Sequence, residues 1–312
     1  MTNLTFAGDS NFKSKENIKD STLKIFIIYS VLSIIILSLL SFSGVRLFNS
    51  LNMSMTLISS GGFLPTDSIN KIISTNFQKI IFIFSLLVSL LNFYLLFNLF
   101  NKKTLIRDHK EDVYLIIASI IFFILIYFNK YTGLDTAISI ISSLANSGLT
   151  LVKSDNNLSL YFLLLTIIGG SLISNTSGIK LTRFYILLKI TSLEIIKLIS
   201  PNSVINKTIF NSDKKITDEN VKISFLIFIS FFLSLFILSS LLVIDNIGFE
   251  KSFKLSILTL TNTLNSEMFD MKNINFSNLL TSSKISLILF MIIGKIELVS
   301  IFLIFKKILF KD

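Results

Sequence analysis

GGSLISNTSGIK, residues 169–180, interrupts an apolar region of the chain and decides how the fold is interpreted. Before it, residues 158–168 (LSLYFLLLTII) are apolar enough to lie in a bilayer, and after it residues 181–189 (LTRFYILLK) become amphipathic and basic. Hydrocarbon offers no partner to free backbone N–H and C=O groups, so a polar, glycine-bearing break is tolerated there only where protein or a water-filled cavity surrounds it. The stretch favours a pore, and its alternative is a short loop between two ordinary helices.

The composition indicates a polytopic membrane protein. Of 312 residues, 52% are hydrophobic and 31 are Phe, and the mean hydropathy is +0.75. Several apolar runs reach the length that spans a bilayer core. With no Cys and a single His, His109, the chain lacks the side chains for disulfides, thiolate metal sites or multi-histidine clusters. We predict a bilayer as the first partner and no enzyme, because the apolar segments lack paired acids, His, Cys or a Ser with a base.

The net charge of +10 does not indicate nucleic acid, because the charges are spread over many segments instead of forming one patch. Most of the excess Lys and Arg lies in the segments assigned to the inner side. This pattern predicts a multi-pass protein of the cytoplasmic (inner) membrane with both termini in the cytoplasm. Residues 1–21 are polar and mixed in charge, so the first membrane helix is expected to be its own insertion signal.

One order of parts occurs three times: a spanning segment, a shorter apolar piece, a small polar turn and a second spanning segment. The spanning segments are 23–42, 77–100, 113–129, 159–199 (interrupted by the opening stretch), 221–243 and 285–310, and the short pieces are 47–58, 134–144 and 249–260. Repetition at this scale predicts pseudo-symmetry around a central feature. The predicted fold is an all-α polytopic membrane protein with six spanning helices and three re-entrant half-helices.

The repeats define the predicted domain boundaries. These are a cytoplasmic segment at 1–22, a repeat at 23–100, a cytoplasmic loop at 101–112, a repeat at 113–199, a cytoplasmic loop at 200–220 and a repeat at 221–312.

The polar turns are the candidate ion filter. A half-helix that stops inside the membrane directs the negative end of its dipole toward the centre, where it favours a cation. The turn that follows can supply carbonyl oxygens in place of the hydration shell, and Gly permits the positive φ that this requires. One such turn is most often only a turn, but three at equivalent places predict a filter. Its predicted residues are Ser60, Gly61, Gly62, Asn146, Ser147, Gly148, Asn262, Thr263 and Leu264.

Five stretches in the right order resemble the Trk/Ktr/HKT superfamily of potassium transporters, whose subunit has four helix–pore-loop–helix repeats around one ion path. They are MTLISSGGFLPTDS (the second pore loop, STGGFSTxD), ISSLANSGLTLVKSD (the third pore loop), GGSLISNTSGIKLTRFYILLK (GGxxGSTxGGIKxxR), ISPNSV (HPNAV) and MIIGKIELVSIFLIF (the terminal GRLE-type helix). The resemblance covers nearly the whole chain. It implies monovalent cation uptake, potassium first and sodium as the alternative, with the ion as transported species and no bound cofactor.

The resemblance also implies a gate and partners. Residues 169–180 would be an intramembrane gate loop beneath the filter, and Lys295 would face the cavity beside it; in the alternative, Lys295 pairs with Glu297 or reaches the membrane interface. The implied partners are a second copy of the chain and a cytoplasmic nucleotide-binding regulatory subunit. The residues assigned to the gate are Gly169, Gly170, Ser171, Ser174, Asn175, Thr176, Ser177, Gly178, Lys180 and Lys295.

The chain departs from the family pattern in three ways. The matched motifs are those of the second, third and fourth repeats, so we expect that the first repeat is carried by a separate chain, that it is missing through truncation, or that three repeats assemble in some other way. Leu264 stands where the family has Gly, and because a side chain at positive φ costs about 1 kcal/mol or more, this turn is expected to adopt a different geometry. Ile173 and Ser177 replace gate glycines. These departures keep open a sodium-permeable variant and a non-conducting membrane subunit.

Overall fold

The structure is a computed structural model that describes residues 18–66, 68–93, 95, 109–127, 133–151, 156–200, 207–210, 215–245, 247–264, 276 and 279–296. These residues form ten α-helices and a 3-10 turn at Ile69–Lys71. The helices are α1 Ile18–Phe42, α2 Leu47–Ser59, α3 Asn76–Leu90, α4 Lys110–Tyr127, α5 Gly133–Leu144, α6 Asn156–Ile168, α7 Leu181–Ile199, α8 Asp218–Ile244, α9 Phe249–Leu260 and α10 Thr281–Ile296. The predicted all-α class is confirmed.

The longest helices are apolar on every side. Within the described residues, α1 over Ile25–Phe42 and α8 over Asp218–Ile244 are the two helices long and apolar enough to cross a membrane without a break. Their outward side chains are exposed; Phe26 is 67% and Ile34 is 66% exposed. Such helices bury one face against protein and leave the rest to lipid, as an all-round apolar helix does in a bilayer.

The short helices α2, α5 and α9 lie at the centre of the packing. Each packs against the longer helices around it in the chain: α2 against α1 and α3, α5 against α4 and α6, and α9 against α8 and α10. Two further contacts join successive units, because α3 packs against α5 and α6 packs against α9. The second long helix of one unit therefore contacts the short helix of the next.

Local sequence explains where several helices begin. Thr75 caps α3 through a capping box with Gln78, whose side-chain amide also donates to the Ser43 carbonyl at 3.2 Å. Thr217 caps α8 by accepting a hydrogen bond from the Asn220 N–H. The Gln78 contact ties the start of α3 to the turn after α1, so these two helices are joined at one end by a polar contact.

The helix boundaries agree in part with the sequence predictions: α1, α4, α6, α8 and α10 begin three to five residues earlier than predicted, and the predicted ends at residues 129 and 310 lie outside the described residues. The three short pieces match α2, α5 and α9 to within one residue at each end, and the break between α6 and α7 lies where predicted. The predicted continuous span over residues 77–100 is wrong as a single helix, since α3 ends at Leu90 and Leu91 is extended, with φ −79° and ψ 163°. The physical reason is that other groups take the backbone hydrogen bonds at this point, as described below.

Candidate functional site

The three polar turns share one way of ending a helix. Ser60, Asn146 and Asn262 each follow the last helical residue or lie one position beyond it, and each has positive φ, at 50°, 53° and 57°. The N–H of the next residue bonds back five residues: Gly61 to the Thr56 carbonyl, and likewise in the other two turns. A left-handed residue with this pair of backward bonds is a Schellman motif, in which Asn is tolerated in place of Gly.

The third position of each turn separates the third turn from the others. Gly62 and Gly148 have φ of 71° and 64°, whereas the described residue Leu264 does not adopt positive φ. Leu264 packs instead against the apolar core. The expectation that the leucine gives this turn a different geometry is confirmed, because a leucine at positive φ would be strained.

The turns contact one another in chain order. A methyl group placed on Gly62 would lie 2.4 Å from the Ser147 carbonyl oxygen, and one placed on Gly148 would lie 3.2 Å from the Thr263 carbonyl oxygen. The third position of one turn thus lies against the second position of the next. The first turn contacts the second in the same way as the second contacts the third. Rotation of one turn onto the next about a common axis would produce this arrangement.

Two of the turns are tied to the helix that follows them. The Asn146 side-chain amide donates to the Thr166 carbonyl at 2.8 Å, and the Asn262 amide donates to the Met291 carbonyl at 3.2 Å. Among the described residues, Ser60 Oγ and Asn146 Oδ1 are buried and have no hydrogen-bond partner. The turns therefore combine a fixed backbone with buried oxygen atoms that are available to accept.

The gate loop, residues 169–180, is closed at its base by main-chain hydrogen bonds. Ile179 and Lys180 donate to the Ile167 and Ile168 carbonyls, each at 2.9 Å, and Leu181 donates to the Gly170 carbonyl at 3.1 Å. These bonds satisfy the backbone groups freed where α6 ends and α7 begins. The break predicted from the glycines and polar residues is thus a compact loop with its two ends paired.

The interior of the gate loop is filled by an ammonium group. Lys180 is 3% exposed, and its Nζ donates to the Ser174 carbonyl at 3.1 Å, to the Thr176 hydroxyl at 3.0 Å and to the Thr176 carbonyl. The Thr176 hydroxyl also accepts from the Gly170 N–H at 3.0 Å. The loop therefore wraps around its own cation, which the sequence motif did not reveal.

The gate loop contacts the end of α2, directly before the first turn, and the third turn. The Asn175 side-chain amide donates to the Ile58 carbonyl at 2.7 Å, and the Asn262 amide donates to the Ser177 hydroxyl at 3.2 Å. Lys295 Nζ donates to the Ser59 carbonyl at 2.8 Å and to the Asn175 carbonyl. The Lys295 ammonium is thus at the C-terminal, negative end of α2, where a helix dipole favours a cation.

The end of α3 runs beside the gate loop. The Ser171 N–H donates to the Leu90 carbonyl, and the Phe93 N–H donates to the Ile173 carbonyl, both at 3.2 Å. A methyl group on Gly170 would lie 2.8 Å from the Leu90 oxygen, so glycine permits this close approach. These contacts explain why α3 ends early, since its last backbone groups bond to the loop and not to a further helical turn.

Acidic residues in the first turn of α4 form part of the same region. Glu111 Oε1 accepts from the Leu172 N–H at 2.9 Å, and Asp112 Oδ1 accepts from the Asn92 N–H at 2.9 Å. His109 Nδ1 lies 3.5 Å from Asp112 Oδ2. These residues precede the predicted spanning segment 113–129. The desolvation of the Glu111 carboxyl raises its pKa to about 7, with the neighbouring charge of Asp112 acting in the same direction.

The sequence interpretation missed these acidic residues because it placed them in a solvated inner loop. The signal that could have found them is their position, two and three residues after the single histidine and directly before an apolar run. At such a place the helix that follows can bury a carboxylate. The structure brings all of the predicted filter residues to the three turns and all of the predicted gate residues to the loop or its surroundings. Their roles in conduction stay predictions.

Comparisons with known proteins find similar sequences. The chain is 27% identical to an uncharacterized cation transporter of Methanocaldococcus jannaschii over 300 residues, which are 92% of the chain and 59% of that protein. It is also 27% identical to the Trk system potassium uptake protein TrkG of Escherichia coli, over 94% of the chain and 62% of that protein. No family model matches the chain.

A solved structure shares the fold. The crystal structure of the potassium transporter TrkH from Vibrio parahaemolyticus matches with a TM-score of 0.82 at 20% identity, and the match covers 95% of this chain and 66% of that one. The predicted resemblance is confirmed, as is the prediction of a transporter family and not an enzyme family. The chain, which spans about three fifths of the length of the sequence relatives it matches, is a distant homologue of the TrkH/TrkG-like family of multi-pass membrane cation transporters.

Proposed function

We propose that the chain forms most of a pore for monovalent cation uptake, potassium first, with the three turns as its filter and residues 169–180 as its gate. The observation that carries this proposal is the ordered contact of the three turns, with Gly62 against Ser147 and Gly148 against Thr263, beside a loop that bonds to the end of α2 and to the third turn. The backbone groups of these turns, at the ends of three apolar helices, are tolerated in a membrane if they line a water-filled ion pathway.

The chemistry of the turns supports a cation. Three helices end at one place, and each presents the negative end of its dipole there. The buried oxygens of Ser60 and Asn146, which have no partner among the described residues, add acceptors to the backbone carbonyls. Oxygen ligands of this kind replace the hydration shell of an alkali cation.

We further propose that three repeats leave the ring of turns open at one side. The contact of α3 with α5 and of α6 with α9 joins the units in order, but within the described ranges α10 does not pack extensively against α2 in the same way. A fourth unit would fit between them. It would come from further sequence of the same protein or from a separate chain. The domain boundaries that we propose are those of the three repeats.

Orientation and assembly belong to the same proposal. Both termini lie in the cytoplasm in our assignment, because the segments placed inside carry most of the excess basic residues. A second copy of the chain and a nucleotide-binding regulatory subunit at the basic cytoplasmic face are the partners that the family resemblance implies. No bound cofactor is part of the proposal, since potassium is the cargo.

Sodium permeation is a second candidate function. Leu264 removes the positive-φ position that Gly62 and Gly148 supply in the other turns. The third turn therefore presents its carbonyls differently, and a filter with unequal sides is less selective for the larger ion. A third candidate, a non-conducting subunit, is favoured by the open side of the ring and disfavoured by the intact contacts between turns and gate loop.

Uptake of rubidium and sodium in a host without its own potassium uptake systems tests the proposal. The chain is expressed alone and together with a helix–pore-loop–helix unit taken from a full-length relative. Gly148→Asp is expected to abolish uptake, because it puts a side chain at φ 64° against Thr263, and Gly248→Asp is the matched control, since a methyl group there meets nothing within 4 Å. Absence of uptake in both arms, with the protein present in the membrane, would refute the pore and favour the non-conducting subunit.

A further inference from the structure

One carboxylate reaches the gate loop from outside it. Glu111, the second residue of α4, accepts from the N–H of Leu172, which is 61 residues further along the chain. This N–H lies between the two groups that bind the end of α3, because Ser171 donates to Leu90 and Ile173 accepts from Phe93. Glu111 therefore completes the set of bonds that hold residues 171–173 in place.

The charges around Glu111 are few and defined. Asp112 is adjacent on α4, and Lys180, from the end of the gate loop, is the cation whose charge acts on Glu111. Asp112 is 1% exposed and is itself bound to the Asn92 N–H at the end of α3 and next to His109. Removing the Glu111 charge weakens the attraction between Glu111 and Lys180. The hydrogen bond between Asp112 and the end of α3 remains.

We propose that Glu111 is a positioning residue for the gate loop and that its protonation decides whether residues 171–173 are held against α3 or released. A neutral carboxyl still accepts the Leu172 N–H through its carbonyl oxygen, so protonation does not remove the bond. Ionisation of Glu111 places a negative charge in a site from which protein groups exclude water. Release of residues 171–173 returns that charge to solvent. The inference rests on the proposed function only in treating residues 169–180 as a gate.

The direction of the pH effect follows from linkage. In the held arrangement the pKa of Glu111 is raised to about 7, whereas in a released loop it returns toward its ordinary value of 4.5. If one arrangement of the protein raises the pKa of a carboxyl, protonation of that carboxyl stabilises that arrangement. The held arrangement is therefore favoured as the pH falls from about 7 toward 4.5, by up to about tenfold per pH unit, and the dependence levels off above about pH 7.

A single cysteine measures the loop directly, because the chain has no Cys of its own. Ile173→Cys is introduced into the full chain in membranes, and its rate of modification by a charged methanethiosulfonate reagent is measured from pH 5.5 to 8.5. Each rate is divided by the rate of the same cysteine in the E111Q background, which cancels the pH dependence of the thiol. The ratio is expected to be lowest at pH 5.5, to rise several-fold by pH 7.5 and then to stay constant.

Two variants complete the test. Glu219→Gln alters the second residue of α8, which is exposed and occupies the place on α8 that Glu111 occupies on α4, and it is expected to leave the ratio profile unchanged. Glu111→Ala leaves the Leu172 N–H without its acceptor and is expected to label fast at every pH. A ratio that is flat with pH, or that falls as the pH rises, overturns the inference. A rising ratio in a chain that conducts no ions supports it and counts against the proposed function alone.

Discussion

The turns after α2 and α5 and the turn after α9 begin alike and end differently. All three start with a polar residue at positive φ that caps the helix, but only the first two end with a glycine at positive φ, and the third ends with Leu264 packed against the apolar core. The beginning of each turn is set by how a helix terminates, which is local. The end is set by what lies beside it, since Gly62 and Gly148 are the positions that face the carbonyl of the next turn.

Among the alanine substitutions, the largest effect is expected for Gly62→Ala. The new methyl group would lie 2.4 Å from the Ser147 carbonyl oxygen, a backbone atom that cannot rotate away, and φ is 71°. Backbone strain alone is about 1–2 kcal/mol, which corresponds to roughly fivefold to thirtyfold. We expect rubidium uptake per membrane-inserted molecule to fall by about tenfold or more.

Gly61→Ala is the control for this substitution. Gly61 does not have positive φ among the described residues, and its methyl group would meet the side chains of Ser59 and Phe63, which are free to shift. Uptake by this variant is expected to stay within about twofold of the parent, since the new methyl group meets side chains and not backbone, at a cost of about 0.5 kcal/mol or less. Equal losses in the two variants would mean that the contact between the first and second turns does not matter.

Gly148→Ala is expected to have an intermediate effect. Its φ of 64° carries the same backbone strain as Gly62, but its methyl group would lie 3.2 Å from the Thr263 oxygen, so a shift of a few tenths of an ångström relieves the contact. We expect roughly a fivefold loss of uptake, from the strain alone. A loss greater than that of Gly62→Ala would contradict the order of the two contacts.

Leu264→Gly tests whether the third turn can be made like the other two. The substitution permits positive φ, but it removes the packing of Leu264 against the apolar core and adds about 1 kcal/mol of lost backbone freedom. We expect the ratio of rubidium to sodium uptake to rise, while the midpoint of thermal unfolding falls because both terms destabilise the fold. Leu264→Ala removes bulk without granting positive φ, and a rise of the same size in that variant would show that bulk, and not backbone geometry, sets the ratio.

The parts of the molecule that are local in sequence were predictable. The bounds of α2, α5 and α9 follow from the lengths of apolar pieces, and the break at residues 169–180 follows from glycine and polar residues between apolar runs. The different backbone at Leu264 followed from the conformational limits of a branched side chain. Each of these features depends on residues that are close together in the chain.

The parts that depend on distant contacts were not predictable. The early end of α3 requires acceptors and donors from residues 171–173, and the place of Glu111 requires an N–H that lies 61 residues away. A charged segment such as residues 109–112 is ordinarily solvated, so composition alone favours the wrong interpretation. Lys180 was assigned to the gate by its motif, but its position inside the loop depends on how the loop folds.

Ser177→Ala is expected to have the smallest effect and asks what holds the third turn. The Asn262 amide donates to both the Ser177 hydroxyl and the Met291 carbonyl at 3.2 Å, so it keeps one acceptor when the hydroxyl is removed. We expect a loss of about 0.5 kcal/mol in thermal unfolding of the purified protein, at the low end for a hydrogen bond, and little change in uptake. Asn262→Ala removes both hydrogen bonds and places alanine at φ 57°, so its loss of stability should be several times larger. If Ser177→Ala costs as much as Asn262→Ala, the gate loop and not α10 holds the third turn. The third turn would then differ from the second turn, whose Asn146 bonds to Thr166 of α6.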